Sequence, residues 1–194
     1  TDERDALLFE LGGELAKLHT VRPPVASLDF LPMPDGTPAQ SRVAEYRRLI
    51  DAIGRPQPTL EWALRWLELN APASTETTLT HGDFRTGNYM VENTHLSAVL
   101  DWEFAGWSDP MEDLGWLCAR CWRFGAWEHE VGGVGGTAAL ARGYASISGK
   151  PVDLSGVLAA PWLGVPQFHA PVFSAPAMLL IVPVVIILVA ENLG

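Results

Sequence analysis

Between His81 and Asp113 the chain gathers oxygen-bearing side chains at intervals that suit the handling of phosphate. The segment reads His81-Gly82-Asp83-Phe84-Arg85-Thr86-Gly87-Asn88, and thirteen residues after Asn88 an apolar run ends in Asp101-Trp102-Glu103. Phosphoryl transfer needs such a set. One carboxylate accepts the proton of the attacking hydroxyl or orients it, while an amide oxygen and a second carboxylate hold Mg²⁺ on the phosphates of a nucleotide. Mg²⁺ prefers hard oxygen ligands of this kind. A loop between two short strands can present Asp83 and Asn88 on one side, and the next strand then delivers Asp101 to the same place. Arg85, two residues beyond Asp83, stands where a cation could neutralise a transferring phosphate.

Other residues in and after this segment have blander uses. His81 reads as a structural hydrogen-bonding residue rather than a base. Asp109 and Asp113 stand at a helix start, where each can cap the helix or brace the loop instead of touching substrate. Glu103 is either an acid on the metal side of the site or a surface carboxylate. Cys118-Ala119-Arg120-Cys121 has no second cysteine pair to complete a zinc site, and on a helix both thiols would share one packed face. Gly132-Gly133-Val134-Gly135-Gly136 follows no strand and carries no phosphate-binding lysine, so it reads as a flexible loop. Trp102, Trp107 and Trp127 flank the acidic segment and could stack on a substrate.

These residues must be positioned by elements whose periodicity is visible. Leu7, Leu8, Leu11, Leu15 and Leu18 recur at helical spacing over Asp2 to His19. A proline-rich loop is expected from Val21 to Gln40. Ser41 is placed to cap a helix running to Ile53, and Thr59 a third running to about Asn70. The pattern then turns strand-like at Thr77 to Thr80, Tyr89 to Val91 and His95 to Asp101. Asp109-Pro110 opens a helix expected to reach about Trp122, and Thr137 to Ser148 forms the last one. From Pro151 onward the only charged side chains are Asp153 and Glu191, and the stretch holds six prolines and the apolar run Ala177 to Ala190. That run is shorter than the roughly 20 residues of a membrane helix and Pro183 interrupts it, so a buried terminal segment is expected instead.

Composition narrows the class. Thirteen basic against 23 acidic residues give a net charge of -10, the opposite of a nucleic-acid footprint and better suited to cations. Two cysteines among 194 residues cannot make a disulfide scaffold, and the start carries no basic-then-apolar leader, so a cytoplasmic setting is expected.

The pattern His-x-Asp-x-x-x-x-Asn, followed by an aspartate on a later turn, is the order protein kinases use. In detail the chain resembles the aminoglycoside phosphotransferase and choline kinase-like family, a branch of the protein-kinase-like fold. Leu79-Thr80-His81-Gly82-Asp83-Phe84-Arg85-Thr86-Gly87-Asn88 and Ala98-Val99-Leu100-Asp101-Trp102-Glu103 carry the likeness. Gly106-Trp107-Ser108-Asp109-Pro110-Met111-Glu112-Asp113-Leu114 adds to it, and Leu15-Ala16-Lys17-Leu18-His19 is similar to the helix that follows the family's hinge. The resemblance implies an α+β, mainly helical fold: the C-terminal lobe of a protein-kinase-like fold, with a small β-hairpin carrying the catalytic loop. It covers residues 1–155, with the catalytic loop at 79–91 and the metal-binding segment at 98–103, and leaves 156–194 as a proline-spaced apolar tail unlike the family. It implies Asp83 and Arg85 as catalytic residues, Asn88 and Asp101 as ligands of Mg and ATP, Glu103 as a metal-side acid, and His81 and Asp113 as structural support.

The family's other lobe carries a sheet and a lysine for the nucleotide phosphates, and no strand-rich segment with such a lysine precedes His81. The expectation is therefore a small-molecule kinase lobe that needs an N-terminal lobe in cis and acts weakly alone on a hydroxylated substrate, a cation being one candidate. Two other readings stay open: a noncatalytic binding or regulatory lobe, and a metal-dependent hydrolase built on His81, Asp83 and Asp101.

Overall fold

The first helix and the last are built to touch. The computed structural model describes residues 2–70, 76–152 and Leu154. Helix α1 spans Asp2–Leu18 and α5 spans Thr137–Ser148. Leu8, Leu11 and Leu15 of α1 are wholly buried in one core with Leu140 and Tyr144 of α5, while Glu3, Arg4, Asp5 and Lys17 of α1 are exposed. Two glycines allow the backbones to meet. A Cβ on Gly143 would lie 1.9 Å from the Phe9 carbonyl oxygen, and one on Gly12 would lie 2.2 Å from that of Leu140. Alanine is the better helix former by about 1 kcal/mol. Gly143→Ala should nevertheless destabilise the protein by about 1–3 kcal/mol in urea or thermal unfolding, because overpacking at the crossing outweighs propensity.

Helix α2 spans Pro38–Ile53 and α3 spans Pro58–Asn70. The expected cap of α2 at Ser41 is four residues late. Thr37 is the cap: its hydroxyl accepts the Gln40 N–H, the Gln40 side chain accepts the Thr37 N–H, and Pro38 fills the first helical turn. Thr59 likewise lies inside α3 rather than capping it. Val43, Tyr46 and Ile50 of α2 and Leu60, Leu64 and Leu67 of α3 form a second core, completed by Trp116.

Two small antiparallel pairs stand between these helical groups. Strand β1 (Thr78–Thr80) pairs with β4 (Gly106–Ser108), Thr78 opposite Ser108 and Thr80 opposite Gly106. Strand β2 (Tyr89–Glu92) pairs with β3 (His95–Val99) through a turn in which Asn93 and Thr94 both have positive φ. The resemblance implies a small hairpin carrying the catalytic loop; this hairpin follows the loop, whose flanking strands β1 and β2 belong to different pairs. The β1–β4 pair is an addition that sequence patterning does not predict.

Helix α4 covers only Met111–Cys118, shorter than the expected run to Trp122. Ala119 is extended, and a 3-10 turn, Arg120–Arg123, follows. The two cysteines are therefore separated rather than sharing a helical face: Cys118 is buried and Cys121 exposed. Asp109 supplies the turn before α4 by accepting the Met111 N–H at 2.9 Å.

The expected tail at 156–194, with Asp153, lies outside the described residues. Among the described residues no helix is long and apolar enough to cross a membrane. The mainly helical α+β architecture is as expected.

Candidate active site

The loop that joins β1 to β2 carries Asp83, Arg85 and Asn88, and it is held from three sides. From below, Asp113 of α4 is wholly buried and receives the His81 N–H at 2.7 Å on Oδ2 and the Gly82 N–H at 2.9 Å on Oδ1. Its Oδ2 also receives His19 Nε2 at 3.1 Å, and Tyr144 lies 3.0 Å from His19 Nδ1. A carboxylate that accepts several N–H groups fixes a loop because leaving buried donors unpaired is costly. Gly82 has a φ of 80°, and a Cβ there would meet the Phe104 carbonyl oxygen at 2.3 Å, so this turn admits glycine. Asp113 thus does brace the loop, one of the two uses its position allows.

From one flank, His81 ties the loop to the segment bearing Asp101. Its Nδ1 accepts the Asp83 N–H at 3.2 Å, so its Nε2 carries the proton and donates to the Leu100 carbonyl at 2.8 Å. The Leu100 N–H in turn donates to the Asn88 carbonyl at 2.8 Å. The residue before Asp101 is thereby pinned to both ends of the loop. Both ring nitrogens of His81 are engaged and the side chain is buried, which leaves it no reach toward a substrate proton.

From the other flank, the glycine segment closes on the loop. The Thr86 hydroxyl donates to the Gly132 carbonyl at 2.8 Å, the Gly132 N–H donates to the Leu117 carbonyl, and Val131 is wholly buried. The expected flexible loop at 131–136 is instead a packed buttress: a Cβ on Gly132 would sit 2.2 Å from the Thr86 hydroxyl oxygen.

The carboxylate of Asp83 sits at the centre, 8 % exposed. Its Oδ2 accepts from Asn88 Nδ2 at 2.6 Å, its Oδ1 from Trp116 Nε1 at 2.6 Å, and Arg85 Nε lies 3.2 Å from each oxygen. The Arg85 guanidinium also rests over the Trp122 ring, 4.4 Å from its centroid. Because Asn88 turns its nitrogen to Asp83, its side-chain oxygen is the atom left for a cation. Asp101 is exposed, in the left-handed region at φ 66°, and its carboxylate makes no capping bond to the turn that follows. Glu103 is exposed in that 3-10 turn, Trp102–Phe104.

Of the three tryptophans expected near the site, Trp102 packs tilted against His81 with centroids 4.6 Å apart, Trp107 is buried in β4, and Trp127 lies against Arg120. Trp116, which contacts Asp83 directly, carries no motif signal, since it stands 33 positions away in a helix read only from its Asp109-Pro110 opening. Behind it, buried Glu112 joins Ser108 and Arg42, the latter at 2.9 Å. Burial pushes the Glu112 carboxyl above the ordinary carboxylate range, against the pull of Arg42.

Burial pushes the Cys118 thiol up to about 12, far from reactivity at neutral pH, and raises that of exposed Cys121 to a lesser extent. A thiol reagent should label one equivalent in the folded protein and two in denaturant, with Cys121 the labelled residue by peptide mass spectrometry.

A loop braced by a helix-borne aspartate, with a helical body and two short strand pairs, is the arrangement of a lobe of the protein-kinase-like phosphotransferase fold. Residues 1–149 match the profile of the phosphotransferase enzyme family, and the chain belongs to that family. The family resemblance read from the motifs is thus borne out.

The chain is 34% identical over 120 residues to acyl-CoA dehydrogenase family member 10 of Mus musculus, covering 59% of this chain and 11% of that protein. A further 46-residue match, 56% identical, is to RutG of Escherichia coli (strain K12), assigned as a pyrimidine permease; it covers 24% of this chain and 10% of that protein. Among solved structures, a protein of Ralstonia eutropha JMP134 assigned to the aminoglycoside phosphotransferases superimposes with a TM-score of 0.63 at 25% identity. That match covers 78% of this chain and 50% of the other. The streptomycin–ATP–APH(2")-IIa ternary complex shares the fold, with a TM-score of 0.52 at 20% identity over 77% of this chain and 49% of that one. The chain spans about a tenth of the curated relatives' length and half that of the solved structures it matches.

Proposed function

We propose that the chain supplies the catalytic-loop half of a small-molecule phosphotransferase that moves the γ-phosphoryl group of Mg·ATP to an acceptor hydroxyl. The observation that carries the reading is the Asp83–Asn88 contact, which orients the carboxylate and leaves the amide oxygen of Asn88 for a cation. The hydroxyl oxygen bonds to the γ-phosphorus as the bond to the β–γ bridging oxygen breaks. ADP leaves with that electron pair, and the hydroxyl proton goes to Asp83. Arg85 offsets the charge of the transferring group once it leaves the Asp83 carboxylate.

The oxygens of Asn88 and Asp101 fit Mg²⁺ by chemical type, with Glu103 as a further acid on that side. The ion, when bound, draws charge from the nucleotide phosphates. ATP as donor rests on family membership, supported by the ATP in a structure of the same fold. The net charge of -10 suits a cationic acceptor.

The hydrolase reading lacks its ligands: among the described residues no group of three or more His, Cys, Asp or Glu side chains is arranged to hold a metal. The alternative reading is a noncatalytic binding or regulatory lobe that does not hold a nucleotide.

Mg²⁺-dependent ATP consumption against a panel of hydroxylated small molecules, cationic ones included, separates these cases. The full product of the gene should turn over at least one acceptor, and the 194-residue chain alone should be far slower. A comparable rate from the chain alone overturns the half-site reading. Neither turnover nor Mg·ATP binding by the full product leaves the noncatalytic lobe.

A further inference from the structure

Three donors converge on Asp83, and they differ in how firmly they are held. Arg85 reaches it through a long side chain that is 25% exposed. Asn88 is buried but has a second task if its oxygen meets a cation. Trp116 differs from both: it is 4 % exposed, its ring belongs to the core of α2 and α3, and it packs on Trp122 at 5.5 Å between centroids. Its indole N–H is a donor only, with no acceptor lone pair and no charge, so it orients a carboxylate without neutralising it or taking up its proton.

We propose that Trp116 is the positioning residue for Asp83, holding one carboxylate oxygen so that the other side of the group faces the acceptor hydroxyl. Because the indole is anchored in the α2–α3 core, the place of the base is set by that helical pair and not by the catalytic loop alone. Buried Glu112, on the same helix as Trp116, pairs with Arg42 of α2 and makes a second tie between α4 and that pair. The inference rests on the phosphotransferase reading for its catalytic meaning, while the contact itself does not.

Trp116→Phe removes the N–H and keeps an aromatic ring in the core. In the full gene product, kcat should fall about 10- to 100-fold, the loss expected when a reacting group is misplaced by an ångström or less. KM for ATP and for the acceptor should stay within about twofold, since misorientation of the base weakens the transition state more than ground-state binding. A merely structural tryptophan would lower the melting temperature and leave kcat unchanged, and that result overturns the proposal.

A second measurement leaves Trp116 in place. The Trp116 indole proton, assigned in the ¹H–¹⁵N spectrum, should lie downfield and shift upfield in Asp83→Asn, where the charged acceptor is lost. An unmoved signal overturns the contact whether or not Trp116→Phe folds. If Asp83→Asn keeps its phosphoryl-transfer rate while the indole signal moves, the phosphotransferase role of Asp83 falls and the contact stands. If Asp83→Asn is dead and Trp116→Phe is fully active, the positioning role falls and the reading of Asp83 stands.

Discussion

Asp83→Asn should lower phosphoryl transfer by about 10²- to 10⁴-fold, the range expected on losing a positioned general base. The substitution keeps the size and shape of the side chain. It removes the charge that Arg85 faces at 3.2 Å and leaves one acceptor oxygen for the two donors, Asn88 Nδ2 and Trp116 Nε1, that each meet an oxygen of Asp83 at 2.6 Å. Arg85 then loses its charged partner and keeps the Trp122 face and the Thr86 carbonyl, 3.3 Å from its Nη1. Binding of Mg·ATP should persist, because the groups assigned to it are Asn88 and Asp101. The check is steady-state and single-turnover kinetics with the best acceptor from the panel, beside a nucleotide titration. A variant with full rate removes Asp83 as the base.

The largest effect on stability should come from Asp113→Ala. It strips the acceptor from two backbone N–H groups, at His81 and Gly82, and from the His19 ring. Asp113 and His81 are wholly buried and His19 nearly so, so water cannot readily replace what is lost. Leaving buried partners of a removed charge unpaired costs about 3–5 kcal/mol, a large part of the 5–15 kcal/mol that holds a typical domain. Urea unfolding followed by tryptophan fluorescence reads the loss. Asp113→Asn should fall between, since one amide oxygen can still accept while the NH₂ group faces a donor.

What the amino-acid order discloses is mostly what is local. The leucines of α1 and the apolar run of β3 reveal themselves because each pattern is local to one element. The start of α2 hides because Thr37 and Pro38 sit among prolines that read as loop, although their capping chemistry with Gln40 was there to find. The end of α4 is overestimated because nothing in Cys118-Ala119-Arg120 breaks a helix by propensity; Ala119 turns extended and the chain continues as a 3-10 turn. At the candidate site, Asp83, Asn88 and Asp101 are visible because their spacing is a motif. Trp116 and the Gly132 buttress are invisible because each meets the loop across 33 or more positions of chain. Asp113 falls between the two: its position suggests a brace, and the fold supplies the donors.

The His19–Tyr144 contact spans 125 residues, and it completes the set of groups around Asp113. A ribosome adds about 5–20 residues per second. The leucine face of α1 therefore waits several seconds, exposed, before the glycine-bearing helix that covers it has been made. Contacts of such high sequence separation also slow folding through loop-closure entropy. The catalytic loop is thus among the last parts of the described body to be secured during synthesis. A nascent chain stalled before Thr137 would display the part of the α1 face that α5 covers, the kind of surface that chaperones retain.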